Sequence, residues 1–268
     1  MRRVVAPLAA AASVLGLLAL PAGALASGGH GAPNLSCTSA QPFYSGTYDN
    51  VTVPPDQTCN LSNSTVRGNV TVQADSSIDL ENTGTVGGSL LVGTGASSFE
   101  DTGWTISGPS AADDAGSMSF AGTVHAIVGN NTGTLGLSSA TVDGSILWNK
   151  GLYGGVIGSS VIAGQVVLNG TVGDPTVGGT WLIAGPALDG SPQEIDGNLV
   201  LTNNQVPIYV LDNHIKQNLV CEGNNPAPFT SLSGFGNTVD GRSVGQCAAA
   251  NPATGAGASA ARAAIAAG

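Results

Sequence analysis

The sequence contains few charged and few aromatic side chains, and this composition argues against several kinds of partner. Charged residues make up 9% of the 268 residues and aromatic residues 4%, and 7 Lys and Arg stand against 17 Asp and Glu. Nucleic-acid binding depends on clustered Lys and Arg that neutralise phosphates. Binding to anionic lipid surfaces depends on similar basic clusters. The composition therefore argues against both kinds of partner.

Long apolar runs are also scarce, and the one that stands out lies at the N-terminus. Arg2 and Arg3 precede an Ala/Leu-rich run over 8–20, and Ala24-Leu25-Ala26 fits a signal-peptidase site. We predict a signal peptide over 1–26, a mature chain from Ser27, and export with no membrane span after cleavage. The run is shorter than the ~20 residues of a span, which argues against an uncleaved anchor. Loss of Arg2 and Arg3 leaves five basic residues and a net charge of −12.

Glycine, in contrast, is abundant, with 40 residues. Together with many Val, Thr, Ser and Asn residues, this content excludes long helices. Gly supplies the positive-φ corners of tight turns, and Asn tolerates them. The composition predicts short strands joined by tight turns.

A heptapeptide of the pattern aliphatic-x-Gly/Gln-x-aliphatic-x-apolar occurs in pairs that are 20 residues apart. The pairs are Val66–Val72 with Val86–Val92, Val142–Trp148 with Ile162–Leu168, and Ile195–Leu201 with Ile215–Cys221. A fixed short period is typical of a stacked solenoid. The apolar residues of each heptapeptide share one parity, so they lie on one face of a strand.

A second, weaker apolar segment precedes many of these heptapeptides, so that one turn of about 20 residues carries at least two strands. We therefore predict an all-β fold, a single-stranded right-handed parallel β-helix of about seven or eight coils. The right hand rests on base rates, because the strict hexapeptide of left-handed helices is missing. The first residues of the heptapeptides should form one inner column: Val66, Val86, Val142, Ile162, Ile195 and Ile215.

The period is imperfect in the middle of the chain. Phe120–Val124 and Val177–Ile183 are interpreted as degenerate coils. Pro109–Gly116 (PSAADDAG) and Pro186–Gln193 are interpreted as protruding loops.

The ends of the chain differ from the repeat. We predict an N-terminal segment and cap over 27–61, a β-helix with a C-terminal cap over 62–247, and a disordered Ala/Gly-rich tail over 248–268. Four Cys in an exported protein allow three disulfide pairings. Proximity favours Cys37–Cys59 and Cys221–Cys247, each worth roughly 3 kcal/mol on the chain-entropy model. A metal site is the alternative, but the spacings do not fit paired Cys ligands.

The coils resemble the right-handed parallel β-helix class of exported bacterial proteins. More narrowly, the ending CEGNNPAP…N-x-V-x-G…GQC over 221–247 resembles that of uncharacterised secreted proteins of high-GC Gram-positive bacteria. The resemblance covers roughly residues 60–247. It implies a fold and an exported location and no known chemistry, so function has to be argued from a site.

Polysaccharide lyases of this fold need a carboxylate ladder for Ca²⁺ and a basic residue nearby. Arg67 and Lys216 fall at opposite ends of the repeat, about seven coils or roughly 35 Å apart at ~4.8 Å per coil. Asp143 and Asp196 occupy the same outward position two or three coils apart, which an exposed solvated face explains. The pattern therefore disfavours a lyase.

Glycoside hydrolysis needs two carboxyl groups about 5–10 Å apart. The acidic doublets Glu100-Asp101 and Asp113-Asp114 lie in the loosened region, where a solvated loop is the simpler interpretation. Asp113 and Asp114 remain weak ligand-site candidates, although no EF-hand-like loop surrounds them.

The other candidate groups are His and aromatic residues. His125 and His214 lie far apart along the repeat, and neither has a Ser or Cys partner at motif distance. Trp148 and Trp181 occupy inward positions. Trp104 is ambiguous, since with Tyr153 and Tyr209 it would form a sugar-stacking platform.

We expect no catalytic, cofactor-binding or metal-binding residue. The leading hypothesis is an exported, non-catalytic structural or interaction protein of the cell surface or extracellular space. The alternatives are a β-helix that binds or cleaves an extracellular polysaccharide or cell-wall component, and a filament that assembles end to end. The sequence does not determine the oligomeric state.

Overall fold

A computed structural model shows an all-β parallel solenoid. The structure describes residues 31–100, 103–185, 193–232 and 235–249, together with Ser259 and Ala263. The strands are β1 (Leu35–Ser36), β2 (Tyr44–Tyr48), β3 (Val51–Val53), β4 (Thr58–Val66), β5 (Val70–Val72), β6 (Ser77–Val86), β7 (Leu90–Val92), β8 (Ser97–Glu100), β9 (Trp104–Asp113), β10 (Ser117–Phe120), β11 (Thr123–Asn130), β12 (Thr134–Ser138), β13 (Thr141–Val142), β14 (Ile146–Asn149), β15 (Gly154–Gly158), β16 (Val161–Ile162), β17 (Val166–Asn169), β18 (Thr180–Ala184), β19 (Gln193–Ile195), β20 (Leu199–Thr202), β21 (Ile208–Leu211), β22 (Asn213–Ile215), β23 (Leu219–Glu222), β24 (Ser231–Leu232), β25 (Phe235–Gly236), β26 (Thr238–Val239) and β27 (Ser243–Gly245).

Twenty-five of these strands join through parallel pairing, and β24 and β25 form a separate antiparallel pair. Each coil contributes strand segments to three faces of the stack. Face A contains the strand segments that include the first residue of the heptapeptide, such as Val66 at the end of β4, Val142 in β13 and Ile162 in β16. Face B contains the segments that follow, such as β5, β14 and β17. Face C contains the remaining segments, such as β10, β12 and β15.

The predicted inner column is confirmed. The residues of successive coils that pair at this position on face A are Tyr48, Val66, Val86, Ile106, Val124, Val142, Ile162, Ile195, Ile215 and Val239. The eight from Val66 to Ile215 are at most 1% exposed. Period-2 alternation therefore does place one parity inside, as the sequence indicated. The hand of the coil stays a prediction.

The stack has about ten turns, somewhat more than the seven or eight predicted. Strands β1 to β3 pair in register with the coils that follow, so residues 35–53 already belong to the stack. At the other end, β26 and β27 add a further partial coil. A coil through Ile106 was missed because its inner neighbours on face B, Ser110 and Ala112, are small.

Glycines make room for buried tryptophan rings. Trp104, Trp148 and Trp181 are each at most 1% exposed, and they pair with Gly84, Gly129 and Gly155 of the preceding coil. A Cβ on Gly84 would lie 2.5 Å from the Trp104 ring, and a Cβ on Gly129 would overlap the Trp148 ring. The Trp104 and Trp148 rings therefore each require a glycine one coil earlier.

The prediction of a loop over Pro109–Gly116 is wrong. The segment through Asp113 is part of β9, where Pro109 pairs with Ala126 and Ser110 with Ile127. Its Ser and Ala residues suggested a loop, but they are buried at positions that face bulky side chains of other coils. The second predicted loop lies outside the described residues, apart from Gln193, which begins β19.

The two degenerate coils were also placed in the wrong register. Val124, and not Phe120, pairs with Val142, while Phe120 pairs with Leu137 on face C. Val177–Ile183 is not a separate coil, because Ile162 pairs directly with Ile195. That coil is 33 residues long, and its strand β18 lies on face C.

Stacked side-chain amides and residues with positive φ form the corners between the faces of the stack. At the corner after face B, Asp75, Asp114, Asn131, Lys150 and Asn203 have φ between 50° and 54°. Such residues turn the chain tightly, and Asn and Asp tolerate this conformation well. Inside the same corner, Asn204 is fully buried and accepts at Oδ1 the Thr171 N–H at 3.0 Å. Its side-chain amide donates to Leu168 O at 3.0 Å and to the Asn224 Oδ1 at 2.9 Å.

Both predicted disulfides are confirmed, Cys37–Cys59 and Cys221–Cys247, each with 5.4 Å between Cα atoms. The segment after Cys221 continues the stack and also covers part of face C. There Phe229 stacks on Tyr209 with ring centroids 5.1 Å apart, and Leu232 packs in the same apolar cluster. The predicted signal peptide and nearly all of the predicted tail lie outside the described residues.

Candidate functional site

The acidic candidates Asp113 and Asp114 lie on the surface at the end of β9. The Asn130 amide donates to the Asp113 carboxylate at 2.7 Å, and the Asn131 amide donates to Asp114. Both carboxylates are therefore bound by amides of the next coil. Glu100 of the other doublet is only 5% exposed, and Asp101 lies outside the described residues. Glycoside hydrolysis needs two carboxyl groups that face each other, whereas Asp113 and Asp114 are each bound by an amide.

The prediction of a sugar-stacking aromatic platform is wrong. Trp104 is 1% exposed, and its indole N–H donates to Glu81 O at 3.0 Å. Tyr209 is 3% exposed under Phe229, and burial raises its pKa. Tyr153 is exposed, but the other two rings cannot stack on a sugar because they are covered.

The outward side of face A carries the ion pairs. Lys216 lies 2.7 Å from Asp196 and 3.5 Å from Glu194 of the preceding coil. The hydrogen bond to Asp196 raises the pKa of Lys216 above its usual value. Arg67 lies 3.9 Å from Asp49 near the other end. Column positions place Arg67 and Lys216 seven coils apart, as predicted, so the two cations do not share a site.

Face A also contains a row that the sequence analysis missed. Ser107 follows Ile106, His125 follows Val124, and Asp143 follows Val142, and these three preceding residues pair across successive coils. The His125 Nδ1 lies 2.8 Å from the Asp143 Oδ1. Serine, histidine and aspartate therefore stand in one outward column, in the order of an acyl-transfer triad.

The surroundings of this row favour a solvated surface over acyl transfer. The side chains of His125 and Asp143 are 53% and 59% exposed, whereas the aspartate of a triad is buried. The N–H groups of Gly108 and Asp143 donate to carbonyls of the preceding coils at 2.9 and 3.1 Å. An oxyanion hole needs such N–H groups aimed at the substrate, so these two are already used.

A row of threonines runs beside these charges, one residue before the inner residues of six consecutive coils of face A. Its members are Thr47, Thr65, Thr85, Thr105, Thr123 and Thr141. Five are exposed and Thr123 is half-buried. Their hydroxyl groups are spaced by one coil, about 4.8 Å, along six consecutive coils.

Face B is different on its outward side. An aliphatic row runs along it, with its members one coil or two coils apart: Leu91, Val128, Leu147, Val167, Val200, Val220 and Val244. Most are half-buried, because neighbours in a flat row shield one another, and Val244 is 41% exposed. The described contacts of β14, β17 and β20 are with other coils of the stack.

Polar, uncharged rows flank the aliphatic row. On one side lie Asn130, Asn149, Asn169 and Thr202, with the Thr202 hydroxyl donating to the Asn169 Oδ1 at 2.9 Å. On the other side lie Ala126, Ser145, Gln165 and Asn198. In these four coils the three rows contain no charged side chain, although the chain has a net charge of −10.

Other features offer little chemistry. A shallow cleft of about 160 Å³ is lined by Ser39, Gln41, Pro42, Thr58 and Asn60. The described residues contain no group of three or more His, Cys, Asp or Glu side chains close enough to bind a metal ion. Within the described ranges no helix has the length and apolarity of a membrane span.

Comparisons with protein-family models, with curated proteins and with solved structures find no match to this chain. The class that the fold itself defines is the parallel β-solenoid with a disulfide near each end.

Proposed function

We propose that the chain is an exported, non-catalytic structural or interaction protein of the cell surface or extracellular space. The observation that carries this proposal is the ordering of outward side chains into straight rows along a stack of about ten coils. Solenoids present extended surfaces of this kind, on which contacts repeat with the coil. On face A, exposed charged groups such as His125 and Asp143 lie in pairs.

Export is supported by three features. The N-terminal 26 residues have the pattern of a bacterial signal peptide. The two disulfides are typical of oxidising compartments. The CEGNNPAP ending resembles that of secreted proteins of high-GC Gram-positive bacteria. Detection of the mature protein from Ser27 in the culture medium or cell-wall fraction tests this, and retention of the full chain in the cytoplasm contradicts it.

Binding of an extracellular polysaccharide is the second candidate, and the threonine row of face A favours it. Six hydroxyl groups in line, beside Arg67, His125 and Asp143, offer donors and acceptors to a linear chain of sugar hydroxyls. We expect the mature protein to sediment with an insoluble polysaccharide or with purified cell wall. Replacement of Thr85 and Thr105 by Lys should abolish this sedimentation.

The non-catalytic part of the proposal is tested separately by screening acidic and neutral glycans for released products. We expect no turnover above background. Turnover that is lost in the Asp113→Asn/Asp114→Asn variant would contradict the proposal and favour a polysaccharide-cleaving enzyme.

A further inference from the structure

We propose that the outward side of face B is a self-association surface that holds a second copy of this chain. The surface is the aliphatic row from Val128 to Val244 with its two flanking rows, which are polar and uncharged from Val128 to Val200 and contain Glu222 and Arg242 in the last two coils. The proposal concerns a different face from the threonine row, so it stands or falls independently of polysaccharide binding.

The first argument is the distribution of charge. Interfaces are distinguished from other surfaces less by their apolar content than by depletion of charged residues at their centre. The outward rows of face B contain no charge over the four coils from Ala126 to Thr202, whereas face A carries Glu194, Asp196 and Lys216. Because two copies of an acidic chain repel each other, the uncharged face is where they approach at the least electrostatic cost.

The second argument is how the chain treats its other outward apolar side chains. On face C, Leu182, Tyr209 and Leu211 also point outward, and the segment that contains Phe229 and Leu232 covers them. No described segment covers the aliphatic row of face B in this way. Among the described residues, one apolar outward face is therefore covered and the other is not.

The third argument is self-complementarity. A twofold dimer places the same surface on both sides of the interface. Amides such as Asn149 and Asn169 contain both donors and acceptors, so an amide row can bond to a copy of itself. The aliphatic row then packs against its copy at the ~10 Å spacing of stacked sheets.

The size of the surface sets the expected strength. Six coils of ~4.8 Å and a width of about four residues at ~3.3 Å give roughly 400 Å² of flat area per copy. The total of about 800 Å² is below the ~1,200–2,000 Å² of stable specific interfaces and falls among weak, transient contacts. We therefore expect a weak, reversible dimer that forms only at high protein concentration.

Sedimentation velocity of the mature, disulfide-intact protein over a concentration series tests the proposal. The mass should rise from monomer to dimer, and the dimer should be stronger at ~0.15 M than at ~0.01 M salt because salt screens the repulsion. The Leu147→Lys/Val167→Lys variant should weaken the dimer at least tenfold. The matched Thr85→Lys/Thr105→Lys variant adds the same charge to face A and should dimerise like the wild type.

Circular dichroism shows whether the variants fold. If Leu147→Lys/Val167→Lys does not fold, Asn149→Asp/Asn169→Asp places charge on the same face at polar positions and should also disrupt the dimer. A wild type that is monomeric at every concentration and salt overturns the proposal. Equal dimerisation of the face A and face B variants, or species much heavier than a dimer that indicate end-to-end stacking, also overturns it. Polysaccharide binding that is lost only in the face B variants would instead assign this face to a glycan.

Discussion

The interior of the stack and its outer rows are built on the same strands, yet their side chains obey different rules. The inner column of face A is occupied from Val66 to Ile215 by aliphatic residues that are at most 1% exposed. One position away, the outward rows change from threonine to aspartate, histidine or lysine. Burial restricts an inner position to one kind of residue, because a slip by one residue would turn every apolar side chain outward. An outer position is restricted only by its neighbours above and below.

The largest effect should follow from disturbing the interior at a Trp–Gly pair. Gly129→Val places atoms where the Trp148 ring lies, so we expect loss of about 3 kcal/mol or more, or failure to fold. Urea unfolding followed by circular dichroism measures the change.

Two variants control this prediction. Gly136→Ala adds a Cβ on the outer side of β12, 3.1 Å from the Ser119 Oγ, and should change stability by less than about 1 kcal/mol. The Gly129→Val/Trp148→Ala double variant should be more stable than the two separate losses predict. Strict additivity would show that the two residues do not compete for space.

The next largest loss of stability should follow from removing a disulfide. Cys221→Ala/Cys247→Ala opens a loop with a sequence separation of 26 and should cost roughly 3 kcal/mol on the chain-entropy model. Thermal unfolding with and without reductant measures it, and the variant should no longer respond to reductant at that end. An unchanged melting temperature would mean that the Cys221 column is held by its strand pairing alone.

The buried amides of the corner should have a smaller effect. Asn204→Ala removes a fully buried side chain that bonds to Leu168 O, the Thr171 N–H and Asn224, so we expect a loss of about 1–3 kcal/mol. Asn149→Ala is the matched variant on the outside, where the amide oxygen accepts one long hydrogen bond of 3.4 Å from Asn169. It should cost less than about 0.5 kcal/mol. Equal losses would remove the distinction between inner and outer amides.

The smallest effect should come from an exposed turn, and it depends on pH. The Asp174 carboxylate accepts hydrogen bonds from the Thr176 hydroxyl and from the N–H groups of Thr176 and Val177 at 2.7 and 3.0 Å. These bonds lower its pKa below the usual value of 3.8, the Thr176 hydroxyl most of all. A lowered pKa stabilises the folded state above the pKa of the unfolded chain, and the contribution is lost as pH falls through the folded pKa. Carbon-13 NMR titration should show the low pKa, and Thr176→Val should raise it; an unchanged titration contradicts the assignment.

Much of the fold was predictable, because the inner pattern is local. The parity of Val66, Val70 and Val72 gave the strand face, and the 20-residue spacing to Val86 gave the coil. The predicted register was wrong where the inner residues are small or where the coil is not 20 residues long. Ser110 and Ala112 suggested a loop although they lie in β9, and the 33-residue coil between Ile162 and Ile195 was divided in two. Nothing local in the sequence signals that a small inner residue pairs with a bulky residue of another coil, as Ser110 does with Ile127.

The candidate sites were less predictable because they depend on which residues of different coils lie side by side. Asp113, Asp114 and Trp104 were chosen because they stand out along the chain, and the structure shows amide-bound carboxylates and a buried ring. The column that joins Ser107, His125 and Asp143 consists of residues 18 apart, whereas the sequence pattern had a period of 20. Outward columns become visible only once each coil is in register.

The sequence by itself determined the parallel solenoid and the inner aliphatic column, and it favoured one of three pairings of the four cysteines, since alternation, period and proximity are all properties of the chain taken in order. Only the tertiary structure decided the number of coils, the glycines that make room for Trp104 and Trp148, and the outward rows of faces A and B. Those features depend on which residue lies one coil above another. That relation is fixed by backbone pairing between distant segments, and it changes whenever a coil gains or loses a residue.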